Sequence, residues 1–456
     1  MYLLHTAIRD YAWGSATLLA ELQGRTPTGR PEAEMWMGAH PGAPAGAVPA
    51  SDPGSAPVPL DELLASDPET LLGEAARYGR LPFLVKLLAA GRPLSIQAHP
   101  ALEQARAGFA AEEAADVPVS APHRNYRDDN HKPEMLVALT PFAALCGFRS
   151  AQDAGTSFSR LAQVLGENME DHDAGSVGLA DAAPGAPGVS GAACASPAST
   201  SDVSVTQTVA GYADLLLHGG GEPDRDGLDG GGGPALERVF ADLLDPAGDW
   251  SSGTWVAAVV AALKKAPRAL DEDLNLSTAV GIAEHYPVDP GVLVSILLNR
   301  VDLASGQAIH LPAGNVHAYL HGLGVEVMAA SDNVLRGGLT PKHVDVPELR
   351  RIVAFESVPV PYCAPLSKGD GHLVFRPPFD EFQVERLDLP AADGTNLTAR
   401  GPVLAVCTAG RVRVEAGTEA AVLTPGESVF LTAADAAAIV HGTGEEPATL
   451  FSVTLP

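Results

Sequence analysis

Twice along the chain the spacing of apolar residues changes kind, and no other feature limits the fold as tightly. Residues 1–150 read as short strands broken by Pro and Gly, with one helical segment near Leu60–Arg80. From about 150 to 285 the period lengthens: Leu236, Val239, Phe240, Leu243 and Leu244 follow the i, i+3, i+4, i+7, i+8 spacing of an amphipathic helix. Phe158–Leu165 and Thr254–Ala266 also read as helices. Within this block residues 182–201 and 218–234 are rich in Gly, Ala, Ser and Pro and read as mobile loops. After about 290 strand character returns, with alternation in Val403-Leu-Ala-Val-Cys407 and Val412-Arg-Val-Glu415. Turn signals fall at Ala409-Gly-Arg411 and Thr424-Pro-Gly-Glu427. Many short strands with frequent turns favour a jelly-roll or barrel over a parallel sheet. The expected class is mainly β with an α insertion.

At 456 residues the chain is too long for one core, so two or three domains are expected. The formal net charge of −27 opposes binding to polyanions, which argues against nucleic acid or an anionic membrane as partner. An anionic small substrate then needs a local group of bases. Of the six lysines, Lys86, Lys132 and Lys342 fall in or near the segments discussed next. Cys146, Cys194, Cys363 and Cys407 form no CxxC pair, and reduced thiols are expected. Residues 1–8 lack the basic start and long apolar run of a signal peptide. The longest apolar stretch, Trp255–Leu263, is about half of the ~20 residues a membrane span requires. These features lead to an expected cytoplasmic location.

Four residues in three short segments form a candidate metal site: Gln97 and His99, Glu134, and His317. Two imidazoles and a carboxylate hold zinc while leaving a coordination position open, and Gln97 adds a neutral oxygen. Gln97 and His99 are two apart, so on a strand they share a face, and Pro100 stops the strand. Glu134 follows Pro133 and opens the apolar run Met135–Leu139. After a turn at Gly314-Asn315, the residues His317, Tyr319 and His321 are expected on one strand face. His317 and His321 are also four apart, as two ligands on a helix would be. The flanking Pro312-Ala-Gly-Asn315 and Gly322-Leu-Gly324 leave too little room for that helix, so His321 reads as a residue behind the ligands or at the rim. Farther on, Glu326 and Asp332 have one strand parity, which places two carboxylates inward, while Arg336 precedes a Gly-Gly bend and Lys342 follows a Thr-Pro turn. In an acidic chain these two bases read as binders of an anion. A solvated charged loop is the bland alternative.

The segments Tyr11-Ala-Trp-Gly-Ser15, Glu34-Met-Trp-Met-Gly-Ala-His-Pro41, Pro93-Leu-Ser-Ile-Gln-Ala-His-Pro100, His131-Lys-Pro-Glu-Met135, Pro312-Ala-Gly-Asn-Val-His-Ala-Tyr-Leu320 and Ala330-Ser-Asp-Asn-Val-Leu-Arg-Gly-Gly-Leu-Thr-Pro-Lys342 together resemble the type I phosphomannose isomerases. The resemblance implies two cupin (jelly-roll) β-barrels with a helical domain inserted into the catalytic one, and one Zn2+ per chain. Expected bounds are 1–150 and 286–345 for the catalytic cupin, 151–285 for the insertion, and 346–456 for the second cupin. The resemblance makes Gln97, His99, Glu134 and His317 the zinc ligands and Arg336 the catalytic residue. Lys86, Ser95 and Lys342 fall where the family contacts phosphate, and Trp13, Tyr319, Glu326 and Asp332 line the pocket. The Gly/Ala/Pro-rich material between 171 and 233 is longer than the usual helical domain, which leaves those bounds open.

The implied reaction interconverts mannose 6-phosphate and fructose 6-phosphate through an enediol(ate). Arg336 would offset the developing charge or hold the phosphate bidentately. His131, Lys132, Glu326 and Asp332 are the open candidates for the proton carrier. An iron-dependent cupin oxygenase and a non-enzymatic sugar-binding bicupin are the competing readings. The second cupin offers only His372 and His441 as evident ligands and is expected to be non-catalytic. Beyond a sugar phosphate, no partner is expected for a monomer or weak homo-oligomer.

Overall fold

His317–Ala329 is the strand around which the candidate site is built, and every one of its residues except His321 is buried. Its start pairs with Phe142–Phe148 and meets Gln97 of the two-residue strand Gln97–Ala98. Its second half lies between Phe83–Ala90 and Glu134–Ala138, all antiparallel. A strand enclosed in this way needs apolar side chains on both faces. Ala318, Leu320, Leu323, Val325 and Val327 supply them, so the polar exceptions stand out. The ten-stranded sheet continues through Glu34–Met37 to Ile8–Arg9 on one side and through Phe142–Phe148 to Leu298–Leu303 on the other.

The expected alternation along this strand fails at one point. The register shifts between Tyr319 and His321, which turns His321 out to solvent instead of inward with His317 and Tyr319. Gly322 follows at φ +130°, where an added Cβ would lie 2.6 Å from Phe142 Cδ2, so no other residue fits the bulge without strain.

The structure, a computed structural model, describes residues 1–174, 200–219, 232–369, 371–390, 394–398, 400–435 and 437–456. The expected loops at 182–201 and 218–234 lie outside those residues except at their edges. Among the described residues six helices occupy the middle of the chain: Ala151–Ala174, Thr200–His218, Gly233–Leu244, Thr254–Lys264, Pro267–Glu272 and Leu274–Ala283. Phe158, Phe240, Val256, Val259, Leu263 and Ile282 share one core with Ile96 and with Leu145, Phe148, Ala318 and Leu335 from the sheet. The helical block therefore packs directly against the strands that carry the site.

Two helices had no apolar stripe to announce them. Leu274–Ala283 is buried at six of its ten positions, so no polar face marks its period. Leu102–Ala114 buries only Ala105 and rests on the helix propensity of its alanines and glutamates. Thr200–His218 does carry a stripe, at Val205, Val209, Tyr212, Ala213 and Leu216, behind an opening Thr-Ser-Asp-Val of low helix propensity.

A second sheet of nine strands takes in both ends of the chain: Tyr2–His5 sits between Gly46–Pro49 and Ser428–Leu431. A third sheet contains Thr395–Thr398, Ala437–Gly442, Val412–Ala416 and Glu419–Leu423. The architecture is mainly β, as expected. Among the described residues no helix is long and apolar enough to cross a membrane.

Candidate metal centre

Antiparallel register brings the distant segments together. His317 lies opposite both Gln97 and Cys146, Met328 lies opposite Glu134, and Glu326 lies opposite Lys86. Arg336 pairs with Gln97 from the other side. Gln97 is half-buried between these two neighbours, while His99, Glu134 and His317 are almost fully enclosed. One ligand atom from each of those three falls within 4.8 Å of the others.

The donor set fits a cation on its own chemistry. His99 Nδ1 lies 2.7 Å from the Asn333 carbonyl, and His317 Nδ1 lies 3.1 Å from the Asn315 carbonyl. A carbonyl only accepts, so both Nδ1 atoms carry the proton and both Nε2 atoms present a lone pair. Burial pushes the His99 imidazole down to about 4, against the opposing pull of Glu134, so it is neutral at neutral pH. Yet His99 Nε2 lies 3.3 Å from one Glu134 oxygen and His317 Nε2 lies 3.3 Å from the other. Neither Nε2 has a hydrogen-bond partner. Two lone pairs set against a carboxylate repel unless a positive charge lies among them, and a divalent ion removes the conflict.

Beside this cluster runs a chain of buried charge. Lys132 Nζ lies 3.0 Å from Glu134 Oε1. Burial opposes the Glu134 charge, but the Lys132 ammonium above all holds its pKa well below the usual carboxylate range. Lys86 Nζ lies 3.2 Å from Glu34 Oε1, 3.5 Å from Glu326 Oε2 and 4.8 Å from the Trp36 ring centroid. For Lys86 burial favours the neutral amine, yet Glu34, Glu326 and Glu134 outweigh it and raise the pKa. Burial pushes Glu326 up to about 7 in spite of Lys86. Tyr319 is buried beside Glu326 and is also raised, by burial first and then by the neighbouring carboxylates.

The remaining candidates surround this centre. Trp13 packs on the cluster containing Tyr319, and Ser95 is half-buried between Leu94, whose N–H donates to the Tyr319 carbonyl, and Ile96. The two-carboxylate expectation fails for Asp332. It lies beyond the end of the strand, 47% exposed, and takes a 3.0 Å contact from His40 Nε2, so it does not face inward with Glu326. His131 Nε2 lies 2.6 Å from Glu381 Oε1, a partner 250 residues away that no sequence pattern announced. Lys86, expected at a phosphate, has its ammonium engaged by Glu34 and Glu326. Arg336 and Lys342 are joined by a base the sequence reading passed over, Arg127. Burial lowers the Arg336 and Lys342 pKa values first, and Arg127 lowers them further. None of the three is ion-paired among the described residues. Glu34 and His40 lay within a segment already singled out for its resemblance, which was the available signal for both.

Residues 1–151 match the family model for the type I phosphomannose isomerase catalytic domain. The mannose-6-phosphate isomerase of Escherichia coli K12 is 37% identical over 451 residues, covering 97% of this chain and 98% of its own. The chain belongs to the mannose-6-phosphate isomerase family. An Aspergillus fumigatus mannose-6-phosphate isomerase is 28% identical, covering 98% of this chain and 95% of its own. A zinc-bound crystal structure of mannose 6-phosphate isomerase superposes with a TM-score of 0.77 at 33% identity, over 100% of this chain and 99% of its own. As a member of this family the chain is an isomerase, with a His99–Glu134–His317 cluster able to hold one metal ion.

Proposed function

We propose that the chain interconverts D-mannose 6-phosphate and D-fructose 6-phosphate with one Zn2+ held by Gln97, His99, Glu134 and His317. The reading rests on two buried Nε2 lone pairs facing the Glu134 carboxylate at 3.3 Å in a chain of this family. When bound, zinc supplies Lewis-acid stabilisation of negative charge at a substrate oxygen.

The side chains supply the rest. Moving a proton between C1 and C2 of the open-chain sugar passes through an enediol(ate), and Arg336 offsets that charge or holds the phosphate. Lys342 and Arg127 complete a cationic patch suited to phosphate in a protein of net charge −27, and Ser95 offers a hydroxyl. Lys86 is reassigned from phosphate contact to holding Glu34 and Glu326 in place. Trp13 and Tyr319 wall the sugar. The proton carrier is one of His131, Lys132 and Glu326. Asp332 is set aside because His40 engages it at the rim.

The strand-rich parts are read as two cupin jelly rolls: 1–150 with 286–345, interrupted by 151–285, and then 346–456, which recruits Tyr2–His5 as a strand. The second is read as non-catalytic because His372 and His441 each face a different carboxylate, Glu385 and Glu415. A monomer or weak homo-oligomer in the cytoplasm completes the reading.

A coupled assay with mannose 6-phosphate, before and after chelation and zinc re-addition, tests the proposal. Chelation should abolish turnover and zinc should restore it. Glu134→Ala and His317→Ala should lose both metal and activity. Full activity in a metal-free preparation would overturn the ligand assignment.

A further inference from the structure

We propose that Asn333 is a positioning residue for the metal centre and acts through His99. This rests on the reading of His99, Glu134 and His317 as ligands. The two histidines are oriented in different ways. The acceptor for His317 Nδ1 is the carbonyl of Asn315, only two residues away on its own strand approach. The acceptor for His99 Nδ1 is the carbonyl of Asn333, 234 residues away. Local chain geometry can aim His317. Only tertiary structure can aim His99.

The side chain of Asn333 secures that carbonyl. It is fully buried, and every one of its hydrogen-bonding positions is used. Oδ1 accepts from the Arg127 N–H at 2.7 Å and the Asp128 N–H at 3.3 Å. Nδ2 donates to the carbonyls of Asp128 at 2.7 Å and Asn130 at 2.8 Å. The Asp128 carboxylate closes the unit, accepting from Ser331 Oγ at 2.8 Å and the Asp332 N–H at 2.7 Å.

This arrangement does two things at once. The segment clamped by Asn333 runs directly into His131, Lys132 and Glu134, so one side chain spaces the His99 ligand from the Glu134 ligand. The same clamp fixes the backbone of Arg127, beside the cationic patch. Losing it frees the His99 ring to rotate about an unconstrained acceptor. Outer partners of ligating histidines set metal affinity by about 10- to 100-fold.

The test measures zinc affinity by chelator competition on the full chain, together with the visible absorption of the Co2+-loaded protein. Asn333→Ala should bind zinc about 10- to 100-fold more weakly and show an altered Co2+ spectrum. Asn275→Ala is the control. Asn275 is also a buried asparagine, its Nδ2 donating to the Leu298 carbonyl at 2.7 Å in the helical block, so its loss should lower stability and leave zinc affinity unchanged. If Asn333→Ala does not fold, Asn333→Ser, which keeps one polar atom in place, should show a loss in the same direction. Unchanged zinc affinity and Co2+ spectrum in a folded Asn333 variant would overturn this inference alone. Failure of the wild-type protein to bind zinc would instead overturn the metal reading beneath it.

Discussion

Replacing Lys86 by Met keeps an unbranched side chain in a buried position while removing the charge that faces Glu34 Oε1 at 3.2 Å and Glu326 Oε2 at 3.5 Å. Taking one partner out of a buried ion set costs about 3–5 kcal/mol, because the other is left charged in a poor solvent. Glu326 can escape part of that cost by staying protonated. Burial already holds it up to about 7, and loss of the ammonium raises it further. The sign follows from linkage. A carboxyl whose folded pKa is raised contributes stability at low pH and loses it as pH rises through the folded value, at roughly 1.4 kcal/mol per pH unit. In the wild-type protein this loss is complete just above 7. In Lys86→Met it should continue upward, so the stability gap between the two should widen from about pH 7 to about pH 9. Urea unfolding of the zinc-free proteins across that range measures the gap. Lys86→Met/Glu326→Gln, with nothing left to ionise at that position, should remove most of the pH dependence. A gap that stays flat with pH would refute the account of Lys86 and Glu326 as one electrostatic unit.

Arg336→Ala should retain its zinc and lose about 10²–10³ in kcat/KM, measured by coupled assay beside elemental analysis; normal turnover would take Arg336 out of the mechanism. His99 is held by burial at about 4, below its unfolded value, so its contribution to stability is lost as pH falls from ~6.5 towards that value. Zinc-free wild-type protein should therefore lose roughly 3 kcal/mol relative to His99→Gln over this range, and an unchanging difference would contradict the assigned neutrality. Phe240 is fully buried against Phe148 and Phe355 and lies beside Gly337, the residue after Arg336. Phe240→Ala should cost about 3–5 kcal/mol and raise KM as the Arg336 bend loosens; an unfolding midpoint equal to wild type would show that the helical block does not support the site.

How much of this was legible beforehand depended on the range of the physics involved. Glu134 and His317 each open a strand, as their Pro- and Gly-bounded segments suggested, whereas His99 falls just past the two-residue strand Gln97–Ala98, so the expected strand parity with Gln97 does not apply to it. The central helices at Phe158 and at Leu236–Leu244 carried apolar stripes. What stayed hidden were partners fixed only by folding: Glu34 for Lys86, His40 for Asp332, Glu381 for His131, and Asn333 for His99. Nothing in a run of residues says which distant carbonyl a ring nitrogen will meet. The register shift that turns His321 outward was also invisible, although its place at the rim was not, because a single inserted residue reverses parity and leaves composition untouched.

The nine-stranded sheet has a consequence for how such a chain is made. Tyr2–His5 is made long before Ser428–Leu431, one of its two neighbours in the sheet. At roughly 5–20 residues per second, that neighbour follows some 20–90 s later. Until then Tyr2–His5 has one unpaired edge, an exposure that belongs to the interval of synthesis and is closed in the finished sheet.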